Sequence, residues 1–134
     1  AARAEWRALR ARHPGAVLVG QSMGGALATV VAAESGDVPA LVLLAPYLAA
    51  GPGLRRLARV HWLVDALCPY VPSGGGRSIH DPEARRAVLS YGALTGRLAR
   101  ELHRVVHHAR QALPAVAAPT LVIHARADNR IAPP

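Results

Sequence analysis

A single serine lies where an apolar run changes into a helical pattern. Residues Ala16–Val19 are apolar, Gly-Gln-Ser-Met-Gly follows, and a helix-compatible run covers Ala26–Ala33. A turn this short between a strand and a helix holds its apex residue in a strained backbone conformation, commonly with φ above zero. The hydroxyl of Ser22 would then project from the carboxyl end of the strand. Such a serine can attack a carbonyl carbon, and the backbone N–H of Met23 can bind the oxyanion that forms.

Glycines flank this serine at positions 20 and 24. We expect a Cβ on Gly20 or Gly24 to collide with neighbouring atoms as the strand and the helix draw together. The alternative is an ordinary glycine-rich turn between a buried strand and its crossover helix, in which the serine has no chemical role. Gly-x-Ser-x-Gly is a weak signal by itself, but the strand–turn–helix context and the following Gly25 strengthen it.

The stretch Gly20–Gly25 resembles the nucleophile elbow of the α/β-hydrolase family, as in monoacylglycerol-lipase-like and carboxylesterase-like serine hydrolases. In that family the catalytic order is serine, then aspartate or glutamate, then histidine. The run Pro119–Pro134 is similar to the family's acid loop, although Ala125 stands where a glycine is often found. The resemblance implies that Asp128 is the acid that orients the histidine. The alternative is an aspartate in an ordinary loop or at a helix cap.

No histidine follows Asp128 in the sequence. The family's early strands, and the loop that supplies a second oxyanion donor, also have no counterpart here. We therefore expect these residues to be the middle and later part of a longer domain, inactive alone, whose catalytic histidine lies beyond Pro134. His124 corresponds to a packing position in the family. The other histidines considered as substitutes, and not favoured, are His13, His61 and His80.

Two further histidines have the spacing of metal ligands. His103 and His107 are four residues apart, but Arg104 stands where a His-Glu-x-x-His site requires glutamate. His107 and His108 are adjacent and do not converge on a helix. A solvated polar face is the favoured interpretation, and we expect neither a metal nor another cofactor.

Composition limits the classes of partner. The net charge is +8 and the sequence pI is about 11.4, with every basic residue an arginine. The arginines are spread along the chain and only 4% of residues are aromatic, which leaves few platforms for stacking bases. We therefore expect no nucleic-acid partner. We also expect no stable membrane insertion, because no apolar run reaches about 18 residues.

The lone Cys68 excludes an intrachain disulfide and is expected to be a small buried residue. A cytoplasmic location is expected, and the oligomeric state is not assigned.

Periodicity predicts the elements that hold the candidate residues. Helical patterns cover Ala1–Arg12, the stretch after the elbow to Glu34, Asp81–Tyr91 and Arg97–Leu113, and buried strands are expected at residues 16–19, 38–45 and 120–124. Strands separated by helices predict an α/β fold with parallel strands side by side in chain order. Residues 48–80, with one short amphipathic helix and no strand, are predicted to be a lid or cap insertion. The resemblance implies a three-layer, partial α/β-hydrolase domain over residues 1–134.

The function that the resemblance implies is a serine hydrolase that cleaves carboxylic esters through an acyl-enzyme. The apolar lid residues favour lipid-like or medium-chain acyl esters; they are Leu57, Trp62, Leu63 and Val71. Two alternatives stay open: a peptidase or amidase on the same fold, and a non-catalytic arginine-rich module that binds acidic partners.

Overall fold

The computed structural model describes residues 1–72, 81–87, 92–128 and 131. Its helices and strands are, in chain order, α1 (Ala2–Arg12), β1 (Leu18–Gln21), α2 (Met23–Ser35), β2 (Leu41–Leu44), α3 (Pro52–Arg59), α4 (His61–Leu67), β3 (Val71–Pro72), α5 (Pro82–Ala87), β4 (Ala93–Leu94), α6 (Gly96–Ala112) and β5 (Thr120–Ile123). The chain divides into two compact units, of which the first comprises Ala1–Ala50 with Arg104–Pro134 and the second Gly51–His103. Among the described helices, none has the length and apolar character to span a bilayer.

A three-stranded parallel sheet lies at the centre of the first unit. The strand order is β1-β2-β5, with Leu18 and Thr120 both in register with Leu41. The prediction of parallel strands in chain order is confirmed. Because all three strands run the same way, residues that follow β1, β2 and β5 lie at one edge of the sheet, where α/β proteins place their ligand sites.

The hydrophobic core of the first unit lies on one face of this sheet. Its buried members come from α1, α2 and the region of β2; they are Trp6, Ala28, Val31, Ala32, Val38, Leu41 and Leu43. Burying a side chain as large as leucine contributes about 1.5–3 kcal/mol relative to leaving it exposed. The core therefore fixes α2, and with it the turn that precedes α2, against the sheet.

On the opposite face of the sheet, apolar side chains of the two outer strands are exposed among the described residues. Val19, Leu121 and Ile123 point to that face and are 59%, 57% and 53% exposed. The expectation of a buried strand at residues 120–124 was wrong for β5, because its four residues, Thr120–Ile123, are all exposed among the described residues. The apolar composition of the strands, read alone, does not distinguish a covered face from an uncovered one.

Polar contacts join α1 to the end of α2. The Trp6 Nε1–H donates to Asp37 Oδ1 at 3.1 Å, and Arg10 lies beside the same carboxylate and over the Trp6 ring. The Trp6 hydrogen bond, opposed by partial desolvation and helped by the Arg10 charge, lowers the pKa of Asp37 from its ordinary value. α2 ends at Ser35, one residue beyond the predicted end at Glu34, and is capped by Gly36, whose φ of 68° few other residues adopt without strain.

The second unit contains α3, α4, a short antiparallel ladder and the start of α6. Val71 of β3 pairs with Leu94 of β4, although the sequence predicted no strand in this region. The backbone of α6 lies close to α4 at Gly96, and the Arg97 N–H donates to Asp65 Oδ1 at 3.3 Å. The single helix predicted for residues 48–80 is two helices, and residues 73–80 lie outside the described part of the chain. Assignment of this stretch as a lid stays a prediction.

Two local expectations in this unit have opposite outcomes. Asp81 begins α5 as predicted, because its Oδ1 accepts the N–H groups of Glu83 and Ala84 at 2.8 and 3.2 Å. The predicted continuation over residues 88–91 lies outside the described residues. Cys68, by contrast, is exposed and its thiol donates to the Tyr70 carbonyl, so the expectation of a buried cysteine was wrong.

Candidate active site

Ser22 occupies the turn between β1 and α2. Its backbone has φ 51° and ψ −120°, a strained conformation for a residue other than glycine. The side chain is exposed and makes no capping hydrogen bond to its own helix. The hydroxyl therefore lies at the carboxyl edge of the sheet without a local bond to hold it. A serine in this conformation is available for nucleophilic attack.

The segment that follows β2 braces this turn through its backbone. The Ser22 N–H donates to the Leu44 carbonyl at 3.0 Å, and the Tyr47 N–H donates to the Ser22 carbonyl at 2.9 Å. Between these two contacts, Ala45 has φ 42° and donates its N–H to the Ile123 carbonyl at 2.8 Å. The strained backbone of Ser22 is therefore held by backbone hydrogen bonds to the end of β2 and the segment that follows it.

The glycines around Ser22 have different steric roles. A Cβ on Gly20 would lie 2.5 Å from the Gly24 carbonyl oxygen and 2.7 Å from the Gly25 Cα, so only glycine fits there. A Cβ on Gly25 would lie 2.9 Å from the Pro46 Cβ. The expected collision at Gly24 was wrong: apart from its chain neighbours and its own helix, no described atom lies within 4 Å of a Cβ built there.

Met23 is the first residue of α2. The first N–H groups of an α-helix have no carbonyl partner within the helix, and the helix dipole makes this end positive. If Ser22 Oγ attacked a substrate carbonyl carbon, the carbonyl oxygen would become an oxyanion that this backbone N–H could bind. The role of Met23 as an oxyanion donor stays a prediction.

Asp128 follows β5 and lies at the same edge of the sheet as the end of β1. Its Oδ1 accepts the Ile131 N–H at 3.0 Å, and its own N–H donates to the Ala125 carbonyl at 3.2 Å. Its Oδ2 lies 3.3 Å from Nε2 of His124, and both side chains are largely buried. The edge of the sheet therefore carries Ser22 at the end of the first strand and a fixed carboxylate after the third.

His124 was the feature that sequence reasoning missed. It was interpreted as a packing residue, whereas its ring contacts the candidate acid directly. The four-residue separation of His124 and Asp128 was visible in the sequence, but spacing across a strand end and a loop does not predict a contact. The chain after β5 must return towards His124 for this contact to form. Ile131 does so, since its carbonyl contacts His124 and its N–H donates to Asp128.

The remaining histidines lie elsewhere. His13 follows α1, before β1 begins, and His61 begins α4 in the second unit. His80 lies outside the described residues. His103, His107 and His108 belong to α6, where His108 lies 3.2 Å from Glu34. Across residues 1–72, 81–87, 92–128 and 131, no three His, Cys, Asp or Glu side chains are grouped as metal ligands would be.

A groove of about 470 Å³ lies beside the elbow in the first unit. Its lining comes from α1, β1 and α2 and includes Trp6, Val19, Gly24 and Leu27. The groove is mostly apolar and reaches the first turn of α2. It lies on the side of β1, which is one outer strand of the sheet, whereas Asp128 follows β5, the other outer strand.

Comparison with known structures identifies the fold. The structure is similar to the monoacylglycerol lipase of Paleococcus ferrophilus, with a TM-score of 0.75 and 18% identity over 98% of this chain and 56% of that one. It is also similar to a structure from work on LipS and LipT, two metagenome-derived lipolytic enzymes, with a TM-score of 0.72 and 25% identity over 98% of this chain and 51% of that one. The chain thus spans about half the length of these relatives. The predicted partial α/β-hydrolase fold is confirmed.

Sequence comparison identifies the family. A comparison with curated proteins gave no significant match. The family model described as serine aminopeptidase, S33, matches residues 2–134. Since that match covers nearly the whole chain, the chain belongs to the S33 serine aminopeptidase family of α/β-hydrolases.

Proposed function

We propose that this chain carries the nucleophile and the acid of a serine hydrolase that cleaves carboxylic esters. The observation that carries the proposal is the backbone of Ser22, held at φ 51° and ψ −120° between β1 and α2 with its side chain exposed. Strain of this kind persists only where surrounding structure enforces it, and it is concentrated at functional sites. An ordinary structural turn would not require it.

In the proposed reaction, Ser22 Oγ attacks the ester carbonyl carbon and its proton passes to a histidine base. The Met23 N–H stabilises the oxyanion of the tetrahedral intermediate. The protonated histidine then donates to the leaving alcohol, and an acyl-enzyme remains on Ser22. Water, activated by the same histidine, releases the carboxylic acid and restores the serine. Asp128 orients the histidine and stabilises its charged form.

The base in this proposal comes from outside the 134 residues. The chain spans only 56% and 51% of the two similar structures, which leaves room for further catalytic groups in a longer protein. Nε2 of His124 lies against Asp128 and the Ile131 carbonyl, so this nitrogen is already engaged. The 134 residues alone are therefore expected to hydrolyse esters very slowly.

The substrate class in this proposal is a small ester with an apolar acyl group. The groove beside the elbow, in the same unit as Ser22, is lined mostly by apolar side chains, including Trp6, Val19 and Leu27. Both similar structures are described as those of lipolytic enzymes. A lipid-like or medium-chain acyl ester would use such a surface, whereas a strongly charged substrate would not.

The test compares two serine-to-alanine variants in the longer protein that contains these residues. Ser22→Ala should lower the hydrolysis of p-nitrophenyl butyrate at least about 1,000-fold, because nucleophile removal leaves only binding and oxyanion stabilisation. Ser35→Ala is the matched control, at the other end of α2, where the hydroxyl is buried and has no hydrogen-bond partner among the described residues. It should keep turnover within about twofold, as substitutions away from functional and packed features usually do. Equal turnover in both variants would reject the proposal.

A peptidase is the second candidate, because the matching family model is described as a serine aminopeptidase. The same nucleophile and oxyanion donor serve amides, but the leaving amine needs protonation more than an alcohol does. Comparing p-nitrophenyl butyrate with aminoacyl p-nitroanilides in the same protein separates the two. Ser22-dependent turnover of the anilide at a higher kcat/KM than the ester would favour the peptidase.

A further inference from the structure

The ring of His124 is enclosed at the end of β5. Its side chain is 8% exposed, and it follows Ile123, the last residue of the strand. Nε2 lies 2.9 Å from the Ile131 carbonyl oxygen and 3.3 Å from Asp128 Oδ2. One ring nitrogen therefore contacts both the candidate acid and the backbone that follows it.

The two contacts of Nε2 identify its tautomer. A carbonyl oxygen and a carboxylate oxygen both accept hydrogen bonds, so Nε2 must carry the hydrogen. Nδ1 is buried and has no hydrogen-bond partner in the described part of the chain. A buried N–H without an acceptor is more costly than a buried lone pair, because the donor loses a strong bond to water. The geometry therefore favours hydrogen on Nε2 and none on Nδ1.

This hydrogen joins the two ends of the acid loop. The Ile131 N–H donates to Asp128 Oδ1 while the Ile131 carbonyl accepts from His124. The Asp128 carboxylate thus accepts a hydrogen bond at Oδ1, and Nε2 of His124 lies 3.3 Å from its Oδ2.

We propose that His124 is a positioning residue for the hydrolytic reaction: its Nε2–H fixes the rotation of the Asp128 carboxylate so that this acid can orient the catalytic base. This rests on the proposed function, in which Asp128 is the acid. The role differs from packing, because packing needs only the volume of the ring whereas positioning needs a donor at the place of Nε2.

Two amide variants separate these roles. The side-chain nitrogen of glutamine can occupy the place of His Nε2, whereas that of asparagine corresponds to Nδ1 and is too short to reach Asp128. In the longer protein, His124→Asn should lower kcat for p-nitrophenyl butyrate about 10- to 100-fold with little change in KM, since small misplacement of a catalytic group costs this much. His124→Gln should restore kcat to within about threefold of the parent.

A double variant adds a readout that a structural role would not give. If His124 acts only through Asp128, then His124→Asn should cause almost no further loss of kcat in an Asp128→Asn background. Long-range ¹H–¹⁵N correlation spectra of the parent protein should show the tautomer with hydrogen on Nε2.

The outcomes distinguish this proposal from the one on which it rests. Ser22-dependent turnover that is unchanged by His124→Asn, additive losses in the double variant, or hydrogen on Nδ1 would overturn the positioning role alone. Glutamine and asparagine variants with equal losses would show that ring volume matters and would also overturn it. Complete loss in the glutamine variant, with an unchanged thermal midpoint, would likewise overturn the positioning role. Absence of any Ser22-dependent turnover in the parent would overturn the proposed function and the positioning role together.

Discussion

The turn at Ser22 and the loop at Asp128 lie at the same edge of the sheet but are held in different ways. Backbone groups hold the turn: the Leu44 carbonyl and the Tyr47 N–H bond to the backbone of Ser22. Side chains hold the loop, through the contact of His124 with Asp128 and the bond from the Ile131 N–H. In the proposed site, the candidate nucleophile is therefore fixed by backbone contacts and the candidate acid by side-chain contacts.

This difference sets which substitutions each region tolerates. Backbone contacts do not depend on side-chain identity, so the turn is sensitive mainly to added volume at its glycines. Side-chain hydrogen bonds depend on particular donors and acceptors, so the loop is sensitive to isosteric changes that alter hydrogen bonding. Substitutions that add volume at the turn should lower the free energy of unfolding more than substitutions that remove a polar contact.

The largest effect is expected for Gly20→Ala. The new Cβ would lie 2.5 Å from the Gly24 carbonyl oxygen and 2.8 Å from the Ala28 Cβ, and two of its three nearest atoms are backbone. Such crowding cannot be relieved by rotating a side chain, so we expect a loss of about 3 kcal/mol or more in the free energy of unfolding. Urea denaturation followed by circular dichroism measures it. A loss below about 0.5 kcal/mol, the range of ordinary surface substitutions, would contradict the account of the turn.

A smaller effect is expected for Gly25→Ala, for which Gly24→Ala is the matched control. A Cβ on Gly25 would lie 2.9 Å from the Pro46 Cβ, whereas one on Gly24 has no described atom within 4 Å beyond its neighbours and its own helix. We expect Gly25→Ala to cost about 1–3 kcal/mol. Gly24→Ala should be neutral or gain up to about 1 kcal/mol from helix propensity. The reverse ranking of the two thermal midpoints would contradict the steric assignment.

The smallest effect concerns a side-chain contact away from both regions, between Trp6 and Asp37. The Trp6 hydrogen bond lowers the pKa of Asp37 in the folded state. A depressed carboxyl pKa adds stability above the unfolded-state pKa, and this contribution is lost as the pH falls through the folded-state pKa. Trp6→Phe removes the donor and keeps an aromatic ring in the core.

The stability difference between the parent and Trp6→Phe should therefore shrink as the pH falls below the ordinary range of aspartate. The difference between the parent and Gly25→Ala should stay constant over the same pH range, because no titrating group takes part in that contact. Thermal unfolding at a series of pH values measures both. A Trp6→Phe difference that grows on acidification would show that the sign of the Asp37 contribution is wrong.

The parts of the fold that depend on local pattern were predicted well. Parallel strands in chain order, the strained serine and the cap at Asp81 follow from short-range spacing and turn chemistry. The S33 family match and the two similar structures support the same fold. Gly20 was assigned its correct steric role because the elbow brings strand and helix together over few residues.

The parts that depend on contacts between distant segments were not predictable in this way. Pro46 approaches Gly25 only because β2 lies beside β1. The Gly-x-Ser-x-Gly motif contains no information on that contact, and the collision was therefore predicted at Gly24 and not at Gly25. The exposed strand β5, which includes Leu121, has the same apolar composition as a buried strand. His124 contacts Asp128 because the loop returns at Ile131, a turn that no single-residue preference specifies.

Covalent labelling of the serine tests the central claim most directly. A fluorophosphonate reacts with a serine only when its hydroxyl is activated and exposed, and peptide mass spectrometry identifies the modified residue. In the longer protein that contains these residues, we predict modification of Ser22, with no labelling of the Ser22→Ala variant and undiminished labelling of Ser35→Ala. A parent protein that stays unmodified, or that is labelled equally after Ser22→Ala, would contradict the assignment of Ser22 as the nucleophile.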